Sequence, residues 1–200
     1  LNHAFFQSFS SSAHMAFPGA HSDLIPLLEV NWWHDVALKT FQTADVLDEF
    51  TDFSEFFQEL YTHFATANPW FIYPDVRPTL DQWRGLGIQM GVISNFDSRL
   101  YAVLEALDLA QFFTSVTVST EVGSAKPDRK FFETALKKHQ CAPQNALHIG
   151  DSLKADYQGA TSVGIPAILL SRSVNQDQSL MPESGAITRQ LSLLNIVLNQ

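Results

Sequence analysis

Large apolar residues recur at two different periods along this chain, and the change of period falls near residue 72. Before it the spacing is helical. Leu27, Leu28, Val30, Trp32, Trp33, Val36, Leu38 and Phe41 form one set of three- and four-residue steps. Phe53, Phe56, Phe57, Leu60, Tyr61 and Phe64 form another, with Asp52 or Thr51 placed to cap that helix. Phe5, Phe6 and Phe9 predict the apolar face of a helix at the start, and the run 17–22, Phe-Pro-Gly-Ala-His-Ser, reads as a loop. No convincing strand precedes residue 72.

Beyond it, short apolar runs alternate with helical periods. Strands are predicted over 88–93, 115–119, 145–149 and 166–170, and helices over 98–107, 129–139 and 155–163. Near-continuous apolar strands separated by helices predict an α/β fold whose parallel sheet is covered on both faces. Residues 171–185 read as a polar loop. Ile187, Leu191, Leu194 and Val197 predict a helix over 186–198 that packs back on the sheet.

Composition narrows the function classes. With 200 residues and 46% hydrophobic content, the chain can bury one core plus a small accessory unit. Twelve basic against 21 acidic residues give a net charge of -9, with no Lys/Arg run to follow a phosphate backbone, so no nucleic-acid partner is expected. No apolar stretch reaches the ~20 residues that span a bilayer, so no membrane association is expected. The single cysteine, Cys141, suits a reducing compartment, and an intracellular, cytoplasmic location is expected. The chain opens Leu1-Asn2-His3 without methionine or a basic flank, as if earlier residues had been removed or left out. The seven histidines show no ligand spacing, and His148, on an apolar strand, reads as a core residue. Cys141 has no His-Asp context for a thiol nucleophile.

Three segments carry candidate chemistry, and each falls at the carboxyl end of a predicted strand or on the loop beyond one, where α/β sheets bind ligands. Ser94 and Asn95 end the first strand and offer hydroxyl and backbone donors to a phosphate. Lys126 offers a compact cation, with Pro127 placed to open a helix. Gly150-Asp151-Ser152 ends the third strand, and Asp151 with Asp156 one turn on offers hard oxygen ligands for Mg2+. Taken singly each is commonplace; Gly-Asp-Ser before a helix is more often a cap than a metal site. Their order on successive strand ends is what singles them out.

These motifs resemble motifs two, three and four of the haloacid dehalogenase-like hydrolase superfamily: Gly91-Val92-Ile93-Ser94-Asn95-Phe96-Asp97, then Ser124-Ala125-Lys126-Pro127-Asp128, then His148-Ile149-Gly150-Asp151-Ser152 through Asp156. The pair Trp32-Trp33 with His34-Asp35-Val36, and the wording Asn95-Phe96-Asp97, look most like the haloacid dehalogenase-like hydrolase domain-containing protein 3 subgroup. The resemblance implies a helical cap over 1–72 and a Rossmann-like three-layer core over 73–200. It implies Mg2+-dependent hydrolysis of a phosphate monoester, a small phosphorylated metabolite, through an aspartyl-phosphate. Ser94 and Lys126 would be catalytic, Ser94, Asn95 and Lys126 would bind phosphate, and Asp151 and Asp156 would bind metal.

One part of the pattern is missing. The family's first motif, Asp-x-Asp on an opening strand, carries the nucleophile, and nothing ahead of Ser94 matches it. Asp23 and Asp35 lie in or beside cap helices, Asp45 and Asp48 lie in a turn-like run, and Asp75 precedes Val76-Arg77-Pro78. In the family that strand lies mid-sheet, between those ending at Ser94 and Asp151, so its absence predicts a gap there unless the neighbours close on each other. The chain as written is therefore expected to be inactive. The alternatives are a non-catalytic binding protein that keeps the fold, or a strand supplied by another chain.

Overall fold

A computed structural model describes residues 1–172 and 187–191. The helices expected before residue 72 form as α1 (Asn2–Ser11), α2 (Ile25–Thr43) and α3 (Phe53–His63). Asp52 caps α3, its carboxylate accepting from Glu55 N at 3.0 Å. The apolar face expected on α1 is turned differently. Ala4 and Ser8 are the buried positions, because small residues let α1 approach α2 closely, while Phe6 stays 66% exposed. Phe9 packs on Trp32 and Trp33, with ring centroids 5.7 and 6.1 Å away.

The rest of the chain runs α4 (Val76–Gly85), β1 (Gly91–Ser94), α5 (Arg99–Ala106), β2 (Ser115–Val118), α6 (Ser119–Val122), α7 (Arg129–Lys138), β3 (His148–Gly150), a π-helical turn (Leu153–Gln158), α8 (Gly159–Ser162), β4 (Ala167–Leu170) and β5 (Ile187–Thr188). Strand and helix alternate as expected, and the α/β class holds. Strand starts differ where the preceding turn takes the backbone. Ile88 N donates to Trp83 O in the last turn of α4, so β1 begins only at Gly91. Asn145 and Ala146 are tied into a 3-10 turn opened by Pro143, so β3 begins at His148. The strand expected through Ser119 stops at Val118, and the predicted helix over 155–163 opens as the π turn. Ile187 and Thr188, expected in a helix, instead add a short parallel strand beside Leu169 and Leu170, which suits a β-branched pair. Residues 186 and 192–198 of that expected helix and most of the loop over 171–185 lie outside the described residues.

The described strands fall in two sheets, β1–β2 and the parallel β3–β4–β5, with His148 opposite Ala167 and Gly150 opposite Leu169. No ladder joins β1 to β3 among the described residues. Phe132, Ala160, Val163 and Ile165 form a buried cluster, with Ile93, Leu136, Ala146 and Ala167 packed against it. No helix of the described residues is long and apolar enough to cross a membrane.

Contacts divide the chain into two compact units. Residues Leu1–Trp70 group with Ser94–Ala110 and Val118–Ala125; Phe71–Ile93, Gln111–Thr117 and the described residues from Lys126 onward form the other. The first grouping crosses the boundary expected at residue 72, and buried polar groups explain it. Glu29 on α2 is fully buried and accepts from Ser98 N (2.9 Å), the Ser98 hydroxyl (2.5 Å) and the Thr120 hydroxyl (2.5 Å). Trp33, one turn along α2, donates its indole N–H to the equally buried Asp97 at 2.6 Å. Asp97 also pairs with Arg99, whose guanidinium lies 3.8 Å over the Tyr61 ring and donates to Tyr61 O. A buried charge must be paired where it sits, so these carboxylates fix the segment after Ser94-Asn95 against α2 and α3.

Glu29→Ala would strand one backbone and two hydroxyl donors in a dry site. Urea denaturation should show a loss of about 3 kcal/mol; a loss below about 1 kcal/mol would mean that water replaces the carboxylate at no great cost.

Candidate active site

Strand alternation puts His148 and Gly150 on one face of β3, and Asp156 packs on that face. The turn that returns it there is unusual. Ser152 caps it by accepting from Ala155 N at 3.0 Å, and Ser152 O accepts from both Asp156 N and Tyr157 N, the second bond spanning five residues. Such π turns occur often at functional sites. The return is so close that a Cβ on Gly150 would lie 2.2 Å from Asp156 Cγ, so only glycine fits.

Asp156 is 3% exposed, and each of its carboxylate oxygens is engaged. Oδ1 accepts from the Lys126 ammonium at 2.6 Å and from His148 Nε2 at 2.9 Å, and Oδ2 accepts from Ser152 N at 2.9 Å. Burial pushes the carboxyl pKa up, but the His148 hydrogen bond, the Lys126 charge and hydrogen bond, and the Ser152 amide outweigh it. Together they hold Asp156 well below the usual carboxylate range. Lys126 Nζ also donates to Ile93 O at 3.1 Å, the carbonyl just before Ser94. With its side chain 11% exposed, the ammonium is fixed at the end of β1.

The structure thus brings Lys126 and Asp156 together. Asp156, expected as a metal ligand, has both oxygens engaged by protein donors. Asp151, just beyond the end of β3, is exposed. Ser94 is the half-buried last residue of β1 and Asn95 the exposed residue after it; both belong to the first unit. Pro127 does not open a helix as expected: the Lys126-Pro127 peptide is cis, and Asp128 caps α7 by accepting from Lys130 N at 2.8 Å. Among the described residues no group of three His, Cys, Asp or Glu side chains is placed to hold a metal ion.

Sequence reasoning missed three contributors. The His148 side chain is 12% exposed rather than fully buried, and its ring nitrogen is spent on Asp156. Its position two residues before Gly150, on the same strand face, was the available signal. Glu29 and Asp97 left no periodic signal, since their partners come from distant segments. The aromatic side chains of the first unit pack largely on one another, with Phe41, Phe50, Phe53 and Phe56 in mutual ring contact. A cavity of about 360 Å³ in that unit is lined instead by Ala20, Ser22, Ile25, Pro26, Ser98 and Glu121.

Residues 11–164 match the family of haloacid dehalogenase-like hydrolases. The chain is 35% identical over 158 residues to the haloacid dehalogenase-like hydrolase domain-containing protein 3 of Xenopus laevis, which covers 76% of this chain and 64% of that protein. The chain therefore spans a little under two thirds of that relative's length. It is 33% identical over 141 residues to a glyceraldehyde 3-phosphate phosphatase of Methanopyrus kandleri, covering 68% of this chain and 59% of the other. The solved HAD phosphatase of Thermococcus onnurineus shares the fold, with a TM-score of 0.61 at 21% identity over 85% of this chain and 88% of that one.

Because the folded pKa of Asp156 lies below the ordinary 3.8, its ionised form stabilises the fold above about pH 4 and that contribution fades as pH falls through the folded value. Asp156→Asn leaves the Lys126 charge buried without its counterion and should cost about 3 kcal/mol at neutral pH. The gap to the unsubstituted protein should narrow as denaturation is repeated below about pH 4. A gap independent of pH would contradict the ion pair.

Proposed function

The chain belongs to the haloacid dehalogenase-like hydrolase family, and on that premise we propose that its residues grip the phosphate of a small phosphorylated metabolite in a phosphatase-type site. The observation that carries this reading is the Lys126 ammonium, held by Asp156 and by the Ile93 carbonyl at the strand end that leads into Ser94. A fixed cation there neutralises charge on the transferring phosphoryl group without reorganising. The Ser94 hydroxyl and the backbone around Asn95 are the donors that follow it in the chain. The phosphatase named among relatives above 30% identity supports phosphate rather than halide chemistry.

The reading also limits what these residues do. No Asp-x-Asp pair occurs in the 200 residues, so they bind and neutralise phosphate but supply no aspartyl nucleophile, and by themselves they turn over no ester. Asp151 is one open carboxylate, and a Mg2+ site takes one or two together with substrate oxygens, so Asp151 would hold the ion, which would offset charge on the phosphate, while Asp156 stays engaged by Lys126.

Inorganic phosphate titrated into the isotope-labelled 200-residue chain should shift the amide resonances of Ser94, Asn95 and Lys126. The shifts should vanish in Lys126→Met, and the chain should release no phosphate from p-nitrophenyl phosphate with Mg2+ present. Saturating phosphate that moves none of these resonances, or release of phosphate from the ester by the unsubstituted chain, would overturn the reading.

A further inference from the structure

We propose that His148 is a positioning residue that fixes Lys126 through Asp156. The two never need to touch. Both donate to the same oxygen, Asp156 Oδ1, Lys126 from 2.6 Å and His148 Nε2 from 2.9 Å. A carboxylate only accepts, so Nε2 carries the proton. The Ser152 amide holds the other oxygen, which leaves rotation of the carboxyl group as its remaining freedom. The His148 hydrogen bond removes that freedom, and the direction in which Oδ1 meets the ammonium is then set.

The ring that does this is itself clamped. His148 meets the Phe132 ring edge-on, with centroids 5.5 Å apart at 87°, and Phe132 is 1% exposed within the cluster of Ala160, Val163 and Ile165. Rigid contacts therefore run from the core through Phe132, His148 and Asp156 to Lys126, and on to the Ile93 carbonyl. Packing alone would be met by any flat apolar ring at 148. Only a donor at the Nε2 position orients Asp156.

This inference rests on the proposed role of Lys126 at phosphate, but its test involves no turnover and no phosphate, so the two fail separately. In the 15N-labelled 200-residue chain, the Lys126 ammonium should give a resolved proton–nitrogen correlation, assigned by its loss in Lys126→Met. His148→Phe keeps the ring and should speed exchange of the Lys126 ammonium protons with water about tenfold, the scale of one lost hydrogen bond. His148→Gln, whose amide can still donate, should restore slow exchange. Unchanged exchange in His148→Phe, or equal acceleration in both variants, would overturn the proposal. A measurement on the unsubstituted protein stands apart from the folding of any variant: imidazole nitrogen shifts of His148 should show a protonated Nε2, and an unprotonated Nε2 at neutral pH would overturn the proposal as well.

Discussion

A carboxylate taken out of water must find every partner it loses, and Asp156 sets the terms for the unit around it. Its three donors come from three places: Lys126 ahead of α7, His148 on β3 and the backbone of Ser152. Each demands something of the sequence. Gly150 has to be without a side chain, the turn after Ser152 has to widen to five residues, and Lys126 has to reach in from its loop. A buried ion pair gains little stability over apolar packing of the same shape. What the arrangement does gain is direction, since the ammonium that neutralises Asp156 is also held at the Ile93 carbonyl.

That carbonyl matters because β1 and β3 share no ladder among the described residues. A strand-end C=O buried without a partner is costly, and here an ammonium group supplies the donor. The same group that serves the proposed phosphate site therefore satisfies backbone at the end of a sheet. The first unit obeys the same constraint with different residues. Glu29 and Asp97 are buried carboxyl groups whose partners are drawn from α2 and the stretch from Ser98 to Thr120, so the residues that follow Ser94 and Asn95 are held by side chains far away in sequence.

Much of this was legible beforehand, for identifiable reasons. Phe53 through Phe64 and the runs ending at Ser94 and Leu170 have periods that local sterics and burial turn directly into helix and strand. Asp52 capped α3 because a cap needs only its own next turn. The family resemblance rested on motifs whose spacing is unbroken in the chain. What escaped prediction depends on contacts between distant segments. The partners of Asp156 stayed hidden because sequence shows a carboxylate but not the donors that reach it. His148 looked like a core residue because an apolar strand hides a ring nitrogen that is in use. Ile187-Thr188 joined a sheet because Leu169 and Leu170 presented an edge, which no helical period could reveal.

The state of one carboxyl group tests this account most directly. A carbon-detected titration of the Asp156 side chain, over the pH range in which the protein stays folded, should find it ionised well below the ordinary 3.8 of aspartate. In Lys126→Met its midpoint should move upward. A midpoint at or above 3.8 in the unsubstituted protein would mean that Lys126 and His148 do not hold Asp156 as a charge, and the account would fail at its centre.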